Sequence, residues 1–314
     1  VSLTVVNGRV SRIAEHADED ALGELVAFIP FGTGPDKIAL DNPGEGNIYG
    51  ASSLAVSADE RRSYILATEE NTIVVIENGR IAKHIPLANA PCDTSEIGVL
   101  PNGQLLLMGR YGNGCLTVIN AAGKVLRTSW LRSSVDKGDF PGELVMTDAG
   151  AWVAFLDENL YRHMVDAQGR FVRAGRTLAH APDRAVKTTF ATTLDRTRLS
   201  VTAESVAGDP NKRSVTLEFE HPLIHLLGLA SDTSGKLRVL SLHIWGVGDE
   251  QQSDAFLTVL GPNLERESQI KIPSPSSGMR VARYAEMAAS GAVYYLDVRM
   301  ENASTWGLAI RRYR

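Results

Sequence analysis

One phrase recurs along this chain and decides what it can fold into. NTIVVIENGRIAKHIPL runs from Asn71 to Leu87 and GCLTVINAAGKVLRTSWL from Gly114 to Leu131. NLYRHMVDAQGRFVRAGRTL runs from Asn159 to Leu178 and AFLTVLGPNLERESQIKI from Ala255 to Ile272. Each joins two strand-like runs through a tight turn rich in Gly, Asn or Asp, which is a hairpin signal. Each also follows two earlier strand-like runs, such as SSLAVSADERRSYILAT before the first and SEIGVLPNGQLLLMGR before the second. Weaker copies are TTFATTLDRTRLSVTA with SVTLEF, and MRVARYAEMAASGAVYYLDVR with WGLAIRRY. The chain so divides into six units of roughly 40–55 residues, each reading as strands A, B, C and D.

Four-stranded units at this period are blades of a β-propeller. Their runs are short, apolar and β-branched, as a sheet packed on both faces requires. The expectation is an all-β, six-bladed β-propeller forming a single domain over residues 1–314. DEDALGELVAF is a candidate turn of helix, weakened by Gly23. Unit six ends at its third strand, while the chain opens with VSLTVVNGRVSRIAEH, two apolar runs around Asn7-Gly8. A ring must close or leave an exposed edge. Val1–Val6, with Arg9–Ala14 beside it, is therefore expected to supply the outer strand of the last blade.

Composition narrows the function classes. The formal net charge of -5 comes with scattered Lys and Arg, which argues against nucleic acid as a partner. No apolar run approaches the length of a membrane-spanning helix. The chain starts with Val, which leads us to expect that a segment upstream was removed, whether a signal peptide or an artificial boundary.

Unit one, YGASSLAVSADERRSYILATEENTIVVIENGRI, resembles the repeat of NHL-type and related six-bladed bacterial propellers. The matching residues are Ala55-Val56, Tyr64 to Ala67, Asn71 and Ile73 to Ile76, while Ser57 and Thr68 stand where that repeat favours Asp. The resemblance implies a fold and no particular activity.

In a propeller the D–A and B–C connections gather on one face, around the mouth of the central channel, and binding residues concentrate on such loops. Here they carry Glu96, Arg110, Tyr111, Glu143, Asp157, Trp245 and Arg299. Glu96 and Glu143 precede strand A in consecutive units, so two carboxylates meet the channel mouth. They are candidates for a divalent cation with Asp157, or for partnership with Arg110 and Arg280. Tyr111 and Trp245 are candidate anchors for a partner, as aromatic residues and Arg dominate such patches. His243 closes a B strand and is the histidine best placed for chemistry there. The chain has no GxSxG elbow and no HExxH.

Cys92 precedes strand A of unit two and Cys115 opens its strand C, at the same end of one blade. A disulfide between them closes a loop of about 24 residues, worth about 3 kcal/mol in the chain-entropy model. It would need an oxidising compartment such as the periplasm or the exterior; free thiols would fit the cytoplasm.

These features lead to one primary expectation. The protein is a non-enzymatic, monomeric binding or scaffold module whose loop-rich face takes a protein, peptide or glycan, with no cofactor. The alternative is a metal-dependent hydrolase or lyase at the channel mouth. It would draw ligands from Glu96, Glu143, Asn113, Asp157 and Asn159, use a metal-bound water as nucleophile, and take His243 as base.

Overall fold

The computed structural model describes residues 2–6, 9–13, 23–40, 50–87, 91–110, 114–131, 141–155, 160–172, 177–178, 186–205, 213–245, 252–273, 281, 283–302 and 305–314. Nearly all regular structure among them is β-strand. Three strands open the chain: β1 (Ser2–Val6), β2 (Arg9–Ile13) and β3 (Glu24–Pro30). The first repeat unit follows as β4 (Ala51–Val56), β5 (Arg62–Ala67), β6 (Thr72–Glu77) and β7 (Arg80–Pro86). The second is β8 (Glu96–Val99), β9 (Leu105–Gly109), β10 (Cys115–Ile119) and β11 (Val125–Trp130). The third is β12 (Pro141–Thr147), β13 (Gly150–Phe155), β14 (Leu160–Asp166) and β15 (Thr177–Leu178). Then come β16 (Val186–Thr192), β17 (Arg198–Ser205) and β18 (Arg213–Glu218). The chain continues with β19 (Leu223–Ser231), β20 (Leu237–Trp245), β21 (Gln252–Leu260) and β22 (Arg266–Ile272). It ends with β23 (Ala285–Met287), β24 (Val293–Asn302) and β25 (Thr305–Tyr313).

These strands form antiparallel meanders, each following the sequence order of its unit. The first strands lie innermost. β8 packs against β4 and β12, β19 against β16 and β23, and β23 returns to β4. Apolar clusters fill the spaces between neighbouring sheets. Ile65 and Val74 meet Tyr294 and Ile310, for example, and Leu106 and Leu116 meet Val153 and Phe155. Sheets covered on both faces bury nearly every residue of their central strands, as in β9 and β10. The arrangement is an all-β β-propeller.

The terminal sheet is closed by a different strand from the one the sequence suggests. β25 pairs with β3, aligning Leu308 with Ile29 and Ile310 with Ala27. Residues 24–28, the latter part of the stretch with a helical signal, are therefore strand. Val, Phe and Ile favour the extended chain, and their alternation turns Ala27 and Ile29 into the core beside Leu308 and Ile310. Gly23 turns the chain into β3 with φ of +62°. A Cβ there would meet the Tyr313 ring at 2.7 Å, so only glycine fits.

β1 instead pairs with β18, aligning Thr4 with Leu217 and Val6 with Val215, and β2 lies outside β1. The fourth unit has no outer strand of its own. After β18 the chain turns through Phe219 to Pro222, where the amides of Phe219 and Leu223 donate to the carbonyls of Thr197 and Arg196. It enters β19 at once, leaving the edge of β18 open. Two units lack an outer strand, and the N-terminal segment completes both.

Candidate functional site at the channel mouth

Glu96, Arg110 and Glu143 sit at the same ends of inner and second strands, brought there by the repeat. Glu96 opens β8, Arg110 follows β9 and Glu143 lies near the start of β12. Glu96 is fully buried. Its Oε1 accepts from Nε of Arg110 at 2.6 Å and from Nη2 of the same guanidinium. Its Oε2 accepts the Leu144 amide at 3.0 Å. The Leu144 bond ties β12 to β8 through a side chain rather than through a backbone ladder. Burial pushes the Glu96 carboxyl up, and the Arg110 and Arg283 guanidinium groups oppose that push.

Glu143 differs. Its surface is exposed to solvent, yet crowding by protein raises its carboxyl, against the pull of Arg283 and Arg110. A group hemmed in without being sealed off is what a channel wall presents. Water at its exposed surface screens the charge. Glu143 in turn acts on Tyr161 of β14, whose phenol is pushed up to about 12, mainly by burial and secondarily by that carboxylate.

Sequence reading missed the second arginine and its partner. Arg283 lies just before β23 and is stitched to the first sheet: its carbonyl accepts the Leu54 amide, and its amide donates to Ser52 O. Its Nη2 lies 2.7 Å from Glu286 Oε2, both side chains being largely buried. Burial alone would lower the Arg283 pKa, but Glu286, Glu96 and Glu143 together raise it. The available signal was Arg283 three residues before Glu286, at the entry of an inner strand. Ser53 adds a further link, its Oγ accepting the Ile97 amide at 3.2 Å.

The disulfide braces this end of the second sheet. Cys92 and Cys115 are bonded, with Cα atoms 6.3 Å apart. Gly109, opposite Cys115 in the β9–β10 ladder, makes room for it. A Cβ on Gly109 would lie 2.3 Å from Asp93 O and 2.8 Å from Cys92 Sγ.

His243 is not part of the cluster. It is buried, desolvation lowers its pKa, and the groups that act on its charge are His221 and Asp254 rather than Glu96 or Glu143. Its side of β20 turns toward the fourth sheet, because Val239 and Leu237, on the same face, pack with Val201 and Leu217. Trp245 and Arg299 fall at strand positions opposite Gln252 and Gly307, and their side chains lie outside the description. Tyr111, Asp157, Asn113, Asn159 and Arg280 lie outside the described residues.

Of the expected metal ligands the described residues include Glu96 and Glu143 alone. The Arg110 guanidinium already occupies Glu96, placing positive charge where a cation would stand. Among the described residues no group of three or more His, Cys, Asp or Glu is arranged to hold a metal. The cluster is instead a mixed-charge site of carboxylates and guanidinium groups, with Glu143 facing solvent.

No family model matches the chain, and no curated protein matches it. Solved structures share its general shape at low identity. Hydrazine synthase of Kuenenia stuttgartiensis is 14% identical over 79% of this chain and 76% of its own, with a TM-score of 0.48. A catalytically inactive virginiamycin B lyase of Staphylococcus aureus, solved with quinupristin, is 14% identical over 88% of both chains, with a TM-score of 0.46. A gluconolactonase of Xanthomonas campestris is 13% identical over 92% of this chain and 98% of its own, with a TM-score of 0.43.

Proposed function

We propose that the protein is a binding module that takes a peptide segment of a partner at the mouth of its central channel. The observation that carries this reading is the convergence of Glu96, Arg110, Glu143, Arg283 and Glu286 at one end of the inner strands. Charges of both signs, one of them open to solvent, suit a ligand that itself carries both signs and many polar groups. A peptide does so more fully than a glycan. Because the carboxylates and guanidinium groups are already held by one another, they are preorganised and lose little freedom on binding.

In this reading the sheets are six blades of one ring spanning residues 1–314, acting as a monomer. The order of inner-strand packing and the closure through β3 support that count. The protein works in the periplasm or outside the cell, where a disulfide such as Cys92–Cys115 is stable.

The test is selection of peptides from a displayed library, followed by affinity measurement on Arg110→Ala and Glu143→Gln. Selected peptides should bind at least about tenfold more weakly to one of the two, since a charge-assisted hydrogen bond contributes ~1.5–3 kcal/mol. Unchanged affinity on both would remove the channel mouth as the site. Stoichiometric divalent metal in the purified protein, with a chelator lowering its melting temperature, would favour the hydrolase or lyase reading instead.

A further inference from the structure

A second cavity lies away from the channel cluster, between the β19–β22 sheet and the turn that follows β18. Its volume is 260 Å³ and it opens to solvent. Phe219 and Phe256 form apolar walls, and Glu220, His221, His243, Asp254 and Gln269 make up the rest of the described lining. The residues arrive there by strand register. His243 stands opposite Asp254, Ser241 opposite Phe256, and Gln269 opposite Thr258.

Three rings make an aromatic corner. Phe219 and His243 have centroids 4.3 Å apart at 53°, and His243 and Phe256 lie 5.6 Å apart near edge-on at 66°. Both nitrogens of His243 are engaged. Nδ1 lies 3.1 Å from the His221 carbonyl, which can only accept, so Nδ1 carries the proton. Nε2 then accepts from Ser241 Oγ at 2.9 Å. Desolvation lowers the pKa of the ring, in keeping with a neutral imidazole. His243 is therefore an uncharged aromatic wall, fixed in one tautomer, and not a free base.

The charge of the lining is one-sided. Among the described residues it holds two carboxylates and neither lysine nor arginine. Lys271 reaches Asp254 Oδ1 at 2.7 Å from outside the lining, so Asp254 retains a partner while contributing a carboxylate to the wall. Gln269 is held in place, its Nε2 donating to Thr258 Oγ1 at 3.2 Å. Aromatic side chains beside carboxylates favour a ligand that joins an aromatic ring to a cationic group, the ring packing on the aromatic walls and the charge meeting the carboxylates.

We propose that this cavity is a second ligand site that takes a small arylalkylamine in its protonated form. The ring of the ligand lies in the corner made by Phe219, His243 and Phe256. Its ammonium group points to Asp254 and Glu220. A cavity of 260 Å³ holds a one-ring ligand.

Benzylamine is the probe, measured by calorimetry on the whole chain and by saturation-transfer NMR, with benzoate and benzyl alcohol as controls of the same shape. Benzylamine should bind with a dissociation constant below about 1 mM. Benzyl alcohol should bind at least fivefold more weakly and benzoate not at all. Asp254→Asn should weaken benzylamine at least fivefold, and Phe256→Leu likewise. Equal binding of benzoate, no benzylamine binding at 10 mM on the order of millimolar affinity limits, or unchanged affinity in Asp254→Asn would each overturn the proposal.

Discussion

Closure of the propeller through β3 is testable with a single side chain. Ile29 is 2% exposed and packs in the same cluster as Leu308 and Ile310. Replacing it with Ala removes three buried carbons, about 2.4 kcal/mol of transfer free energy at ~0.8 per carbon. The cavity left behind adds to that, so the expected loss is about 3–4 kcal/mol. For a chain of this length each kcal/mol moves the melting temperature by about 2 °C, which predicts a fall of about 6–8 °C. Leu25 on the same strand is 50% exposed and serves as control. Leu25→Ala should cost under about 0.5 kcal/mol. Urea and thermal unfolding followed by circular dichroism measure both. If Ile29→Ala loses less than about 1 kcal/mol, or no more than Leu25→Ala, then β3 does not carry the closure and the pairing with β25 is incidental.

Other perturbations probe separate parts of the structure. Asp232 and Arg238 form a buried pair at 2.8 Å, and Asp232 Oδ1 also accepts the Ser234 and Lys236 amides. Asp232→Ala leaves a buried guanidinium unpaired and should cost about 3–5 kcal/mol in chemical denaturation. Burial raises the Asp232 carboxyl, but the bonds from Ser234, Arg238 and Lys236 outweigh it, and the net shift is downward. A depressed carboxylate stabilises the fold above its unfolded pKa, near 3.8. That stability is lost as pH falls through the lower, folded value, so the gap between wild type and Asp232→Asn should shrink in acid below that point. Reduction of Cys92–Cys115 should lower stability by about 3 kcal/mol, read from denaturation with and without reductant. Gly109→Ala should destabilise by about 1–3 kcal/mol and slow formation of that disulfide, measured by thiol titration during refolding.

The repeat was legible because four hairpins share one pattern of alternation and turn chemistry. Asn120, for instance, places its side chain on the Ala122 and Lys124 amides, and Asp166 does the same for Gln168 and Arg170. Such turns announce themselves locally. Closure did not, because which edge a strand joins depends on edges left open elsewhere. VSLTVV and ELVAFIP are both competent strands. Only the short connection from β18 to β19 shows that the fourth unit also lacked a partner. At the channel mouth Glu96, Glu143 and Arg110 were visible from their places in the repeat. Arg283 was not, since its role comes from parallel contact with Ser53 across the closure of the ring. His243 was misplaced for a related reason. Reading it as the end of a strand fixed its height along the sheet, while the parity of Leu237, Val239 and Ser241 set the face it takes.

The central claim is that a peptide segment binds at the mouth of the channel. Hydrogen–deuterium exchange, comparing the free protein with its complex with a selected peptide, tests that most directly. Exchange should slow at residues 93–97, 109–110, 141–145 and 283–286, the ends of inner and second strands that carry the charge cluster. Slowed exchange confined to the outer strands β7, β11 and β22, with these four stretches unchanged, would contradict it.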